Sequence, residues 1–426
     1  MHGRSLRPLL AVTGFIAATA GCVNAQDKPP RVDVRGVKPM DTTPWALASP
    51  PTLGVSPDYA SFGLDLFQRL AEARPDGNVI VSPLSAGLAV SMLANGATGD
   101  TRAGIERALA AGMGMDSLNA ANAALAGALR TDDVELAIAN SLWARQGVPF
   151  LPAFLEQNRE FYRAEVATLD FGSPEAPRRI NDWASRNTNG RITEMVQGPL
   201  DGSAILYLMN AVYFKGRWQN EFQPRATRPG TFHAPSGDVQ RPMMSRTGTY
   251  GHLRGDGVQG VRLPYRGDRF AMYVLLPDAG QSLAQLRGRM TAEAWDGWVH
   301  AFRPAEMQLT MPKYRLSLES RLNAPLQAMG MGDAFSSERA TFGAMLPADY
   351  LSARNAYVSE AKQKVFIEVN EEGTEAAAVT GIEMRTTSMG PPPVRFVVDR
   401  PFVVVIRDDQ TGALLFVGQV NDPVSE

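Results

Sequence analysis

Apolar residues at helical spacing dominate the first part of the chain beyond residue 57. Residues 58–73 and 84–96 are predicted to form helices, and the second follows Ser82 and Pro83, a serine cap with proline in the first turn. The apolar residues of the first helix recur at intervals of three and four: Phe62, Leu66, Phe67 and Leu70. The same pattern predicts helices at 100–109, 116–130, 152–161 and 177–188, and strands at 135–143, 166–171 and 205–213.

The second half of the chain is patterned mainly as strands. Short apolar runs predict strands at 260–264, 270–276, 306–314, 364–369, 402–406 and 414–420. The last two are separated by residues 408–412, which suits a short hairpin. The first part of the chain is rich in predicted helices, the second part is rich in predicted strands, and no βαβ unit is repeated. This order predicts an α+β fold with large antiparallel or mixed sheets.

A long segment without obvious secondary structure, residues 371–395, joins the strand that ends at Val369 to a strand that begins at Phe396. Connections longer than about 12 to 15 residues in a compact domain are usually functional or disordered. Its residues alternate between a small or apolar set and a set that carries the charge, which is the period of a half-buried strand. A capped helix starting at Thr374 or a flexible linker are the alternatives. The first set is Thr374, Ala376, Ala378, Thr380, Ile382 and Met384, and the second is Glu375, Ala377, Val379, Gly381, Glu383 and Arg385.

The N-terminus has the pattern of an export signal. Arg4 and Arg7 precede an uncharged apolar stretch, residues 9–20, that ends in small residues. About a dozen apolar residues are too few to span a membrane comfortably. The leader is therefore expected to be removed.

Two cleavage positions fit this leader. Residues 19–22 resemble a bacterial lipobox, in which Cys22 is lipidated and becomes the new N-terminus, and this reading is favoured. Ordinary signal peptidase cutting after Ala25, with free secretion, is the alternative. Residues 1–21 are then the signal peptide, and the proline-rich residues 22–56 form an extended tether.

Charge and cysteine content limit the classes of partner that the protein is expected to bind. The 42 Lys and Arg against 44 Asp and Glu give a formal charge of -2, so no basic field favours nucleic acid or an anionic membrane. The one cysteine, Cys22, allows no intramolecular disulfide. Membrane contact is expected only through a lipid on Cys22, and the protein is expected to be a monomer.

No familiar catalytic motif is present in the sequence. Nucleophile elbow, Walker loop, dinucleotide fingerprint and zinc motifs are absent, and His233, His252 and His300 are not in ligand spacing. We expect neither a metal nor a cofactor, and no enzyme activity. A hydrolase with a dispersed site is a remote alternative.

Four separate motifs, in order, resemble the serpin family between residues 57 and 423. They are NVIVSPLS at 78–85, NAVYFKGRW at 210–218, VNEEGTEAAA at 369–378, and DRPF at 399–402 with FVGQV at 416–420. The resemblance implies a single domain, residues 57–426, with three β-sheets, eight or nine helices and an exposed reactive-centre loop at about 371–395. It implies a suicide inhibitor of a serine protease, or of a papain-like cysteine protease, held as a covalent complex.

The resemblance also assigns residues. A protease cuts the loop and the arm starting at Thr374 then enters the main sheet as a new strand, a switch for which serpins are a standard example. Small residues at the hinge match inhibitory members, whereas a noninhibitory binding or carrier serpin is the alternative. The hinge residues are Glu371, Gly373, Thr374, Glu375, Ala376, Ala377 and Ala378.

Other residues of this chain match positions of the family one by one. Ser82, Ser85 and Asn210 match the shutter, a hydrogen-bonded cluster where strands must part, and Trp218 matches the breach at the top of the opening sheet. Gln363 stands where the family usually has a histidine, so pH sensitivity through that residue is not expected.

Counting the family's usual spacing from Glu371 places the reactive bond between Thr387 and Ser388. Arg385 and Met384 are alternatives, because the segment after the bond is longer than in a typical member. Thr387 suits a small or medium apolar pocket, Arg385 a trypsin-like pocket and Met384 a larger apolar one.

Overall fold

The computed structural model describes residues 59–109, 113–374 and 392–424. The helices of these residues are α1 Ala60–Glu72, α2 Pro83–Ala94, α3 Gly99–Leu109, α4 Met115–Ala128, α5 Pro152–Tyr162, α6 Glu175–Asn187, α7 Leu283–Arg289, α8 Ala292–Ala301, and the short α9 Asn323–Leu326 and α10 Ala348–Ala353. The strands are β1 Val79–Val81, β2 Val134–Arg145, β3 Glu165–Leu169, β4 Leu206–Arg217, β5 Arg228–Ala234, β6 Gly237–Gly255, β7 Val258–Pro264, β8 Phe270–Pro277, β9 Arg303–Pro312, β10 Tyr314–Arg321, β11 Lys362–Val369, β12 Gly373–Thr374, β13 Val394–Val397, β14 Phe402–Asp408 and β15 Leu414–Val420.

These strands form two hydrogen-bonded sheets, and the predicted α+β class is confirmed. One sheet has nine strands and the other six, in the order β10-β11-β12-β4-β2-β3. The expectation of three sheets corresponds to two networks here, because β6 is 19 residues long and pairs with β5 at its start and with β9 and β7 farther along. One continuous strand thus joins layers that were expected to be separate.

The six-stranded sheet lies between two apolar cores. Even-numbered residues of β4, such as Val212 and Phe214, belong to the main core, and odd-numbered ones such as Tyr213 belong to a second core with Trp183 of α6. This alternation follows from the two-residue period of a strand. The sheet is therefore covered on both faces, and a side chain entering it meets a packed core.

Helix α2 packs against one face of this sheet. Its N-cap is Ser82, whose side chain accepts a hydrogen bond from Ser85 N, and Pro83 occupies the first turn, as the sequence predicts. Almost every residue of α2 is buried. The helix is thus fixed close to the centre of the fold.

Several elements differ from the sequence expectation. The predicted strand 306–314 is two strands, because β9 ends at Pro312, which has no N–H to donate, and β10 starts at Tyr314. Helices α7 and α8 were not predicted, although Ser282 forms a capping box with Gln285 that the sequence does show. Within the described residues, no helix has both the length and the apolar character needed to cross a bilayer.

Candidate functional site

At one end of the six-stranded sheet, the two-residue strand β12 lies between β4 and β11 and separates them. Thr374 pairs with Gly216 of β4 on one side and with Val369 of β11 on the other, antiparallel to both. Farther along, β4 and β11 pair directly with each other, for example at Val212 and Val365. The sheet is thus open at β12 and closed in its middle.

Gly373 is required here by the closeness of β4. A Cβ atom at this position would lie 2.0 Å from the carbonyl oxygen of Gly216 and 2.8 Å from Cα of Arg217. Both contacts are with backbone, which cannot move aside as a side chain can. Only glycine therefore allows the chain to enter between the two strands.

Thr374 itself lies inside the sheet, whereas the residues of the arm that follow it lie outside the described residues. Its side chain is fully buried, and its Oγ1 lies 2.7 Å from the hydroxyl of Tyr265. Burial raises the pKa of Tyr265 well above its usual value, so the phenol stays neutral and forms this bond with the threonine hydroxyl. The side chain is short enough to fit and polar enough to satisfy its buried partner.

Trp218 supports the same end of the sheet. Its ring stacks on Tyr265 at 4.7 Å between centroids, and its Nε1 donates to the carbonyl of Asn370 at 3.0 Å. Its backbone N–H donates to the carbonyl of Glu372 at 2.9 Å. The residue predicted for the breach therefore binds the chain at the start of the hinge.

Glu371 anchors the hinge to two residues elsewhere in the chain, Lys313 and Thr227. Its carboxylate accepts hydrogen bonds from Lys313 Nζ at 2.9 Å and from Thr227 Oγ1 at 2.8 Å. Burial disfavours the charged carboxylate, but these donors outweigh burial and lower the pKa of Glu371. Lys313, Thr227 and Tyr265 were not found from the sequence, since no local spacing links them to residue 371.

The four predicted shutter residues lie together behind the closed part of the sheet. Gln363 accepts from Ser82 N at 2.7 Å and donates to Ser82 O at 3.1 Å. The Ser85 hydroxyl donates to Asn210 Oδ1, and Asn210 Nδ2 donates to Asn140 Oδ1 at 2.8 Å. This buried cluster connects the start of α2 with β4, β11 and, through Asn140, β2; Asn140 was not singled out in the sequence.

The remaining predicted site residues lie outside the described residues. They are Cys22, Glu375, Ala376, Ala377, Ala378, Met384, Arg385, Thr387 and Ser388. Among the residues that the structure does describe, no group of three His, Cys, Asp or Glu side chains is placed to hold a metal ion.

Fold and site together define an α+β protein whose six-stranded sheet holds Gly373 and Thr374 paired between β4 and β11. A family profile described as Serpin (serine protease inhibitor) matches residues 57–423, so the chain belongs to the serpin family. Leukocyte elastase inhibitor of Sus scrofa is 35% identical over 381 residues, which cover 85% of this chain and 97% of that protein.

Solved structures show the same fold. The thermophilic serpin tengpin in its native state has a TM-score of 0.78 and 26% identity, covering 85% of this chain and 93% of that one. Thyroxine-binding globulin in complex with thyroxine has a TM-score of 0.76 and 27% identity, covering 86% and 98%. The similar proteins thus include a protein named as an inhibitor and a binding protein.

Proposed function

We propose that this chain is an inhibitor that traps a serine protease, or a papain-like cysteine protease, as an acyl-enzyme. The nucleophile of the protease attacks a carbonyl in the loop at about 371–395, the peptide bond breaks, and the new amine leaves with its proton. The N-terminal arm then holds the protease through an ester or thioester. If the arm enters the sheet before water cleaves this bond, the complex persists.

The observation that carries this proposal is β12. It already pairs with both neighbours, and the arm that follows is bound to it covalently. Once the pairs that join β4 and β11 at Val212 and Val365 have opened, each further residue can add main-chain hydrogen bonds to these two strands, worth about 0.5 to 1.5 kcal/mol each. The step after cleavage is therefore strongly downhill.

Noninhibitory binding is the competing function, as the likeness to thyroxine-binding globulin illustrates. A hinge built for insertion distinguishes the two, and here Gly373 and Thr374 fit between strands where a bulky or charged residue does not. Catalysis is not part of the proposal, and a covalent active-serine reagent is expected to leave the protein unlabelled.

Denaturing gels test the proposal directly. The mature protein is mixed with elastase-like, subtilisin-like, trypsin-like and papain-like proteases, and an adduct that survives denaturant is expected with at least one of them. Cleavage of the loop by every enzyme without any stable adduct would instead favour the binding function.

We also propose that the folded domain starts near residue 57 and is exported, with residues 1–21 removed and Cys22 lipidated. Support comes from the leader, the lipobox-like residues 19–22 and the proline-rich segment 22–56. The inhibitor would then act as a monomer at the outer or periplasmic side of a membrane. Free secretion after Ala25 is the competing route.

A further inference from the structure

The tripeptide Arg-Gly-Asp occurs twice in the chain, at residues 254–256 and 266–268. Both copies lie at hairpin turns, since the first is where β6 meets β7 and the second lies between β7 and β8. They are at opposite ends of β7, a strand of seven residues and about 20 Å. Because the two copies have the same sequence, differences between them come from their surroundings.

The second copy is occupied by contacts within the fold. Arg266 donates to Glu221 Oε1 at 2.8 Å. Asp268 Oδ1 accepts from Nη1 of the buried Arg262, also at 2.8 Å. A Cβ atom on the glycine between them would lie 2.6 Å from a carboxylate oxygen of Asp133. The charges and the glycine of this copy are therefore used by the fold itself.

The first copy has no such contacts. Within the described residues, the guanidinium of Arg254 and the carboxylate of Asp256 form no hydrogen bond or ion pair, and both residues are exposed. A Cβ atom on Gly255 would meet no other part of the described fold within 4 Å. Two opposite charges therefore flank a glycine that a partner can approach.

The turn that carries Asp256 is fixed by its backbone. Gly255 pairs with Val258 across the turn. The two residues between them, Asp256 and Gly257, have φ of 54° and 73°, and a type I′ turn requires positive φ at both positions. Arg289, in the last turn of α7, donates to the carbonyl of Asp256 and, at 3.1 Å, to that of Gly257. The tip is thus preorganised while its carboxylate stays free, so little conformational entropy is lost on binding.

The fold accounts for the turn residues but not for the arginine. Asp-Gly is a preferred sequence for a type I′ turn, which is sufficient reason for residues 256 and 257. Arg254 lies outside the turn, in the strand, opposite Gln259. Its guanidinium stabilises no contact among the described residues. A partner that binds a cation and an anion two residues apart would account for it.

The two charged groups require different chemistry in such a partner. A carboxylate is a ligand for a hard divalent cation, which often keeps positions open for an incoming oxygen. A guanidinium forms two parallel hydrogen bonds with a carboxylate. We propose that residues 254–256 dock the protein to an integrin-type adhesion receptor, whose divalent cation binds the Asp256 carboxylate and whose acidic pocket binds the Arg254 guanidinium.

This docking site is separate from the hinge of the reactive loop. Tyr265, whose hydroxyl lies 2.7 Å from Thr374 Oγ1, follows the other end of β7. A receptor bound at residues 254–256 therefore leaves the hinge untouched. The proposal goes beyond inhibition and does not depend on it.

Binding is measured with the mature protein and a panel of integrin ectodomains that bind Arg-Gly-Asp peptides, immobilised in buffer with Mn²⁺. The wild type should bind at least one of them saturably. A free Arg-Gly-Asp peptide should displace it, whereas an Arg-Gly-Glu peptide should not. Removal of the cation with EDTA should release it, because the carboxylate then has no metal to bind.

Three variants test the assignment of residues. Asp256→Asn removes the charge and keeps the turn, since Asn-Gly also suits a type I′ turn, and its affinity should fall about tenfold or more. Arg254→Lys keeps the charge but loses the paired hydrogen bonds, and should also bind more weakly. Arg266→Lys makes the same change in the second copy and should bind like the wild type. Asp256→Asn should keep the unfolding midpoint and the protease adducts of the wild type, which separates docking from inhibition.

Several results would overturn the docking proposal. Binding of the wild type to none of the ectodomains is one, and binding that persists in EDTA is another. Wild-type affinity in Asp256→Asn would show that the carboxylate is not the ligand. Equal losses in Arg254→Lys and Arg266→Lys would show that the receptor does not distinguish the free copy from the occupied one.

Discussion

Single side chains decide whether a strand can enter this sheet. Gly373 is fixed by backbone contact with Gly216, and Thr374 combines small size with a hydroxyl that satisfies Tyr265. The sequence pattern predicted small inward residues at this hinge, and the structure adds the polar partner that explains threonine in particular. Shape and hydrogen bonding thus act together at one position.

Thr374→Arg should abolish most inhibition. The substitution removes the bond to Tyr265, worth about 0.5–1.5 kcal/mol, and an arginine buried there unpaired would cost several kcal/mol more. The hinge should therefore leave the sheet even before cleavage, and the variant should be cut as an ordinary substrate with little adduct. Thr374→Ser, which keeps the hydroxyl, is the control; undiminished adduct formation by the arginine variant would remove the inserting-strand argument.

Glu371 should make hinge docking sensitive to acid. Its pKa is lowered in the folded protein, so its stabilising contribution is present above the unfolded value near 4.5 and is lost as pH falls through the lower folded value. Hydrogen exchange of Gly373 and Thr374 measured from neutral pH downward should show this loss. Burial raises the pKa of the neighbouring Glu372, so Glu371→Gln is the needed control, and its exchange should no longer show the Glu371 step.

The reactive bond is expected between Thr387 and Ser388. The peptide released from a stable adduct should then begin at Ser388, and mass spectrometry measures this directly. A peptide beginning at Thr386, formed only with Arg-cleaving enzymes, would move the bond to Arg385 and change the target class. A peptide beginning at Arg385 would point to Met384.

At the scale of elements, regular periodicity made most of the fold predictable. Helix α2 carries its cap locally and strand β15 is a short apolar run, and β15 was predicted with its observed ends, Leu414–Val420. The two-residue β12 was not predictable, because its pairing depends on β4 and β11 and not on its own pattern. Long-range partners such as Lys313 were missed for the same reason.

Gln363→Leu should weaken the joint between α2 and β11. It leaves Ser82 N without its partner, whereas Ser82 O keeps the bond from Ala86 N, and a buried unsatisfied group costs about 1–3 kcal/mol. The urea unfolding midpoint should fall accordingly. Gln308→Leu makes the same chemical change at an exposed position of β9 and should leave the midpoint almost unchanged; equal effects of both would mean that the shutter bonds contribute little.

At the scale of the whole molecule, anchoring and folding are separate properties. The folded domain needs no disulfide, since the chain has a single cysteine, and its buried cores supply its cohesion. A lipid on Cys22 would only set where the inhibitor works. Proteases near the membrane surface would then be its first targets.

Cys22→Ala should release the protein from membranes without changing its folding or its adducts. Fractionation of cells that express each form, with N-terminal sequencing, measures this. Wild-type protein recovered soluble with Gln26 at its N-terminus would replace the lipoprotein proposal with simple secretion.

The presence of β12 has a kinetic consequence. Ordered structures that grow by repetition are slow to nucleate and fast to propagate, since the first contacts fix many dihedral angles for few bonds. Here the first antiparallel contacts exist before any protease arrives. Under the proposed mechanism, the cut arm would therefore start from contacts that already exist, and only the growth of the strand would compete with hydrolysis of the acyl bond.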